Sequence, residues 1–450
     1  MRQGSITTPM LIVVASFIVA IYALLLVLSL QLDFSHRQTA SEEALGIAEA
    51  GINYYKWRLA HAPEDFGGSG EYEYFDPQGA SVGKYKLEIT PPQNGSSIVT
   101  IRSTGWTNQF PNIKRSITAQ YGIPSFARYS FLQHSSSWYG TGITVNGRVH
   151  SNNGIRMDGT NTSIVSSAKE TYTCGSETGC NPPQTRPGVW GSGGDKALWQ
   201  FPVPQIDFAS VSFDFSKMRT SAQNNGVYLG PSGRSGYHLT FLSDGTVRVD
   251  RVDSVGYYYG VAAEDGCQRR YQRILTQSYI GTYNLSDTPI IFAEDHLWVE
   301  GVVKGRTSVV AARFPVESNF MNIWIRGNIT YAAYDHTNSL GLIAQNDIYF
   351  VRDIPNYFQI DAALMAQGGK IIRHGYYNYG SCSSSSYSVR ERLTINGALI
   401  SYNKSYWNFG SPPVSGFRER VITYDGDLLY APPPYFPTTG EYEFISWSEE

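Results

Sequence analysis

The sequence predicts a mainly β protein with one long N-terminal α-helix: the helix, a small antiparallel sheet, then a parallel β-helix, or solenoid. Three observations predict this. Residues 9–30 form an unbroken apolar run that passes without a turn signal into an amphipathic stretch. Residues 71–121 alternate apolar and polar side chains between Gly, Pro and Asn punctuation. Beyond Pro124 a heptapeptide of the form apolar-x-apolar-x-Gly-x-apolar recurs.

The apolar run would extend roughly 33 Å at ~1.5 Å per residue, against a hydrocarbon core of ~30 Å. Leu45, Ala48, Ile52, Tyr55 and Leu59 then recur at spacings that place them on one helical face. No Gly or Pro interrupts Met10–Leu45. One continuous helix is therefore expected: a membrane-spanning part with a short leader (1–31) and an amphipathic continuation (32–61). Gln31-Leu32-Asp33-Phe34 is not a signal-peptide cleavage site, and the apolar core is too long for one. An ordinary bitopic anchor is the competing reading. Arg2 is the one charge ahead of the run, so the positive-inside tendency keeps the N-terminus cytoplasmic and exports the rest.

Residues 62–122 read as a small antiparallel β head. Gly67-Gly68-Ser69-Gly70 is a loop, Lys84–Ile89 alternates until Pro91-Pro92 stops it, and Ser97–Ile101 follows the Asn94-Gly95 turn signal. Ser103–Gly105 and Lys114–Ala119 complete a meander.

Two short elements of the first sixty or so residues, Arg2-Gln3-Gly4-Ser5 and Ala48-Glu49-Ala50-Gly51-Ile52, together resemble the N-terminus of PilX-type minor pilins. The resemblance implies processing between Gly4 and Ser5 and a pilin-like head over 62–122. It implies a single-pass inner (cytoplasmic) membrane protein with an exported C-terminal region, destined for the cell surface or a pilus. Its partners would be the lipid bilayer and other pilin subunits or pilus assembly proteins, met through the helix. Two positions depart from the wider pilin pattern: Ser5 stands where Phe is usual, and Pro9 where Glu is usual. That Glu offsets a buried N-terminal amine of a neighbouring subunit, and its absence fits a filament tip.

The heptapeptide appears at Ile143–Val149, Leu297–Val303, Ile323–Ile329 and Leu393–Leu399, with looser copies at Leu342–Ile348 and Ala362–Gly368. A strand, a bend at Gly or Asn, and a second strand make one unit of a stack. Residues 123–450 thus read as a β-helix domain with an irregular insertion at about 171–290 and a Pro-rich C-terminal cap. A β-sandwich is the competing fold. A hairpin with Asp244-Gly245 at its turn is expected to decorate the stack.

Net charge is −3 and charged residues are only 16%, which leaves no electrostatic footprint for nucleic acid. The cysteines are Cys174, Cys180, Cys267 and Cys382. The reading is a small ring closed by Cys174 and Cys180, with Cys267 joined to Cys382 across a long loop, as an exported location permits. Free thiols and a metal site are the alternatives, and the spacing is not CxxC.

No GxSxG, HExxH, P-loop or dinucleotide fingerprint occurs, so the chain reads as non-enzymatic, with no cofactor and no metal. The rival is a β-helix carbohydrate-active enzyme, with Asp347 and Asp361 as its carboxylates. His150 reads as a polar corner residue. Two tyrosine clusters, Tyr257-Tyr258-Tyr259 and Tyr376-Tyr377-Asn378-Tyr379, are candidate contact loops for a glycan or a surface protein. Packing of the loops onto the stack is the alternative.

Overall fold

The computed structural model describes residues 7–93, 96–208 and 215–450. The candidate processing residues Gly4 and Ser5 and the Asn94-Gly95 turn lie outside the described residues. The chain is mainly β with one long N-terminal helix, and it divides into two units. The first takes the chain through Gln93, Ser97–Ile123 and Gly440–Glu450; the second takes Pro124–Thr439.

In the first unit, α1 (Thr7–His61) is a single helix of 55 residues. Its C-terminal half packs on a five-stranded antiparallel sheet made of β1 (Gly70–Phe75), β2 (Ser81–Thr90), β3 (Val99–Thr107), β4 (Arg115–Gly122) and the C-terminal strand Glu443–Glu449. The buried stripe is Ala40, Ala44, Ile47, Ala48, Ile52, Tyr55 and Leu59, which meets Leu87, Ile101, Ile117 and Ala119 of the sheet. Leu45 is only half-buried at its margin.

Small residues set how near the helix lies. A Cβ on Gly105 would run into the backbone of Ala44 and Ala48. One on Gly51, the last residue of the Ala-Glu-Ala-Gly element, would run into Ser103 Oγ and Tyr85. Helix and sheet thus approach almost backbone to backbone, which only Gly permits.

The C-terminal strand corrects the expectation of a cap. Glu443–Glu449 pairs antiparallel with β4 and completes the first sheet. The proline run before it does not join a ladder, because proline lacks the donor; Phe436, beside it, packs instead in an apolar cluster of the second unit to which it belongs.

The second unit is built from strands that pair in parallel, unlike those of a β-sandwich. Three ladders result. The first runs in space through 227–229, 290–293, 306–311, 339–344, 363–366, 399–401, 131–133, 149–151, 165–167 and 199–200. One register row reads Ala293, Ala311, Ala344, Ala366, Ser401, Gln133, Ser151, Ser167, all small or polar. The second ladder aligns Leu239, Val299, Ile325 and Phe350, and the third aligns Ile360, Ile395, Ile422 and Val145. These side chains are buried in one continuous core.

Space order is not chain order. The chain enters the first ladder at Phe131–Gln133, in its middle, and moves to the end at Trp199–Gln200. It resumes at the opposite end, Val227–Leu229, and works back until Leu399–Ser401 lies on Phe131–Gln133. The traverse between the two ends, including α2 (Phe215–Asn225), supplies Phe208, Phe215, Met218 and Ala222. They cover the outward row Phe292, Val310, Ile343, Met365, Ile400 and Leu132.

Three sequence expectations change here. Within 171–290, read as an irregular insertion, Val227–Leu229 and Gly236–Phe241 are ladder strands; they are too short to show a clear alternation among Gly and Ser. The expected short hairpin is present at Asp244-Gly245, but its second strand runs on through Ala262 and pairs with Gly266–Asn284. The heptapeptides do not all stack on one another. Leu297–Val299 and Ile323–Ile325 are neighbours on the second ladder, whereas Ile395 and Val145 share a row of the third, either side of Ile422. The motif marks a corner, and the unit has more than one kind. At Gly147, Gly301 and Gly397 φ is positive, and a Cβ at Gly301 or Gly397 would strike the carbonyl of Phe241 or Ala362. Gly327 has no positive φ and sits where its strand bulges.

Trp298 and Trp324 do lie over one another, at 4.7 Å and 12°. Tyr349 and then His374 continue the column at 5.5 and 5.1 Å. That outer face is therefore packed rather than solvated.

Two measurements test these contacts. Gly105→Val should destabilise the first unit by about 1–3 kcal/mol through overpacking. Gly46→Ala, exposed on α1 with open space around its Cα, should be neutral or stabilising by up to about 1 kcal/mol. Denaturant melts of the full chain in detergent would read both; equal effects would refute the close approach. In the second unit, Ile325→Asp should cost several kcal/mol as a buried unpaired carboxylate. Trp324→Asp should also cost about 2 kcal/mol or more by opening the column; a change under about 0.5 kcal/mol would contradict the stacking.

Candidate functional site

Three features carry candidate function: the exposed half of α1, a long hairpin bearing tyrosines, and the loops tied by disulfides. Among the described residues, α1 is the one helix long and apolar enough to cross a membrane. Its apolar window has no part buried within the chain, and Leu11, Phe17, Leu24, Leu26 and Phe34 are all exposed. A contiguous apolar surface of this size needs lipid or another helix around it.

The hairpin of Thr246–Ala262 and Gly266–Asn284 leaves Gly236–Phe241 and folds over the aromatic column. Gln272 ties it down: its carbonyl accepts from Trp298 Nε1 at 2.9 Å, its side chain accepts from Arg352 N at 3.0 Å, and it donates to Tyr376 OH at 2.9 Å. The far end is held by a Val261–Gly375 backbone pair and by the Cys267–Cys382 disulfide. Cys174 and Cys180 are joined in their own small ring. Both links match the pairing read from the sequence.

The loop after Arg373 is pinned at its base. Arg373 is wholly buried and has no carboxylate partner among the described residues. Its guanidinium donates instead to the carbonyls of Ser388, Arg352 and Tyr387 at 3.0, 3.1 and 2.5 Å. Burial pushes its pKa down to about 10.

These supports divide the six tyrosines. Tyr376 is buried against Gln272 and Arg373. Tyr258 turns inward, its ring 3.5 Å from the Arg352 guanidinium and its hydroxyl on Asp353, and burial with that carboxylate pushes its pKa up to about 12. Tyr377 is half-buried against Phe409. Tyr257, Tyr259 and Tyr379 are exposed. Tyr257 and Tyr259 meet Tyr271 and the Arg269 guanidinium in one aromatic patch, whose Tyr271 was not picked out from the sequence.

The carboxylates weighed for catalysis have separate surroundings. Asp361 is fully buried and accepts from Tyr331 N, Tyr334 OH and Gln359 Nε2 at 3.0, 2.6 and 3.0 Å. Asp347 accepts from Tyr349 OH at 2.6 Å and Lys370 N at 2.8 Å, and burial holds its pKa above the ordinary carboxylate value. His150 is a buried member of the first ladder, placed between Ser166 and Asn152 at 3.0 and 3.1 Å, and burial lowers its pKa. No cluster of metal-ligating side chains occurs among the described residues.

No family model matches the sequence. No curated protein matches it either. Among solved structures it is similar to the competence-associated pilin ComZ from Thermus thermophilus, at 13% identity and a TM-score of 0.29, over 92% of this chain and 98% of that one. A TM-score at that level transfers neither fold nor role.

The two disulfides should differ in weight. They close loops with sequence separations of 6 and 115 residues. On the chain-entropy account, removing the Cys174–Cys180 link costs about 2 kcal/mol and the Cys267–Cys382 link about 5 kcal/mol. Double Cys→Ala variants compared by denaturant melts would show it; equal losses would mean that strain or residual structure outweighs loop closure.

Proposed function

We propose that this chain is a pilin-like envelope protein, anchored in the inner membrane by the first half of α1, with the rest exported. On this reading it works by assembly with other pilin or pilus components and by surface contact, not by catalysis. The observation that carries it is α1 itself: one 55-residue helix whose first half is apolar and unpacked, while its second half lies on an antiparallel sheet through Ala44, Ala48 and Gly51. A helix of this kind can serve as anchor before assembly and as packing surface after it. The Gly4-Ser5 junction and the Ala48–Gly51 element support the resemblance to PilX-type minor pilins. The two disulfides favour an oxidising compartment.

The finer fold reading belongs here too. We infer that the three parallel ladders are the sides of a β-helix carried on a pilin-like head. Support comes from the repeated return of the chain to one register row and from the single apolar core inside the ladders. The non-catalytic reading is supported by the separate hydrogen-bond sets of Asp347 and Asp361, which share no partner. Tyr257 and Tyr259 are the proposed contact residues.

Mass spectrometry of the mature N-terminus tests the assembly reading. A chain beginning at Ser5 is expected; a chain retaining Met1 in membranes would reduce the protein to a plain anchor. A second test addresses the span. Leu26→Arg should impair insertion, at a cost of about 2.5–3.5 kcal/mol for a charge at mid-membrane. Unchanged membrane fractionation and unchanged protease access to the C-terminal region would contradict it.

A further inference from the structure

The first and third ladders run unbroken across the place where the last strands of the second unit lie on its first. The second ladder does not. On one side of this seam it ends at an isolated Ile372–Tyr406 bridge. On the other, Ser137–Tyr139 pairs only with Ile155–Met157, as the edge of a separate three-stranded sheet. The two sides part and leave a cleft of about 650 Å³, a size usual for small-ligand sites.

The cleft is rich in cations. Arg156, Lys404, Arg418 and Arg420 line it, with Asp158 as their one acidic neighbour there. Asp158 is already committed, accepting from Arg156 Nε at 2.7 Å, Trp138 Nε1 at 2.9 Å and Ser192 N at 3.0 Å. Arg418 faces Glu391 at 3.2 Å. Lys404 and Arg420 have no carboxylate within ion-pair distance among the described residues. Lys404 donates to the Glu177 carbonyl, and Arg420 donates to the Thr141 carbonyl at 2.9 Å while its Nε is buried without a partner. Burial pushes the Lys404 amine down to about 8. Both are only partly shielded from water; Lys404 feels the Glu177 carboxylate without an ion pair and Arg420 pairs with none among the described residues, so an anion in the cleft would gain charge-assisted hydrogen bonds from both.

The cleft also offers a ring surface. Trp138 is 42% exposed. One side of its indole meets its ladder neighbour Arg156, at 4.4 Å; across the seam, the Lys404 amine lies 5.9 Å from the ring. Gln133, Ser192, Ser405 and Asn408 add amide and hydroxyl groups to the lining.

We propose that this seam cleft binds an acidic oligosaccharide, with a sugar ring on Trp138 and its carboxylates on Lys404 and Arg420. An indole, amide and hydroxyl groups, and two cations without an ion pair in one cleft match a ring that carries both hydroxyls and a negative charge. An acidic peptide fits less well, because the open strand edge is only Ser137–Tyr139 and offers too few main-chain partners for strand addition. The proposal does not depend on the membrane-anchor reading.

Isothermal titration calorimetry of the full chain in detergent would test it, with trigalacturonate as probe and its fully methyl-esterified form as the neutral control. The acid should bind at least tenfold more tightly than the ester. Lys404→Gln and Trp138→Ala should each weaken it at least tenfold with the melting temperature retained, and Phe320→Ala, exposed and outside the cleft lining, should leave it unchanged. Equal affinity for acid and ester, no binding of either, or folded variants that bind like the parent would overturn the proposal. Hexaglutamate binding as tightly as the sugar would overturn it too, by assigning the cleft to acidic peptides.

Discussion

The pairing of Leu399–Ser401 with Phe131–Gln133 is the contact on which the second unit depends. A parallel strand has backbone donors and acceptors on both edges, and each buried edge needs a neighbour. Here the last strands of the unit satisfy the first. The pairing forces the chain to visit both ends of the ladder before it closes the middle. That in turn requires a long traverse, and the traverse is put to use: Phe208, Phe215 and Met218 cover an outward apolar row that would otherwise face water. The seam cleft is the remaining cost of the closure, since two ladders join there and the third does not.

The first unit obeys a different constraint, the near contact of α1 with its sheet. Gly51 faces Ser103, and Gly105 faces Ala44 and Ala48, so each surface is small where the other approaches. The large side chains of the packed side, Ile47, Ile52, Tyr55 and Leu59, fill the space around these close points. The first half of the helix carries its Leu and Ile residues exposed.

How much was legible in the sequence follows from how local each signal is. The helix, its stripe and the apolar run were readable because a 3.6-residue period is a property of neighbours in sequence. The small disulfide ring was readable for the same reason. The alternation in the heptapeptides was readable too, and Val299, Ile325 and Ile395 are all interior. Which copies stack on which was not, because a Gly corner has one local signature wherever it occurs around the stack. The strand Glu443–Glu449 was misread because an exposed edge strand shows little burial contrast, and the prolines before it suggested an ending. The lining of the seam cleft was invisible: Trp138 and Lys404 meet only because the first and last strands do. Among the tyrosines, no composition signal separates buried Tyr376 from exposed Tyr379; the wholly buried Arg373 does.

The second unit enters and leaves the chain side by side, with Thr439 N donating to the Pro124 carbonyl at 2.9 Å. A pull on this unit therefore reaches the rest of the molecule through two adjacent strands. The strands next to those crossings, Phe131–Gln133 and Gly416–Thr423, lie in the middle of the stack. Force applied near the seam would take a short path to the tethers, and the strands toward Trp199 and Val227 would carry almost none of it. Mechanical failure would begin at the centre of the ladders, so added or lost strands at either end would leave the rupture force nearly unchanged.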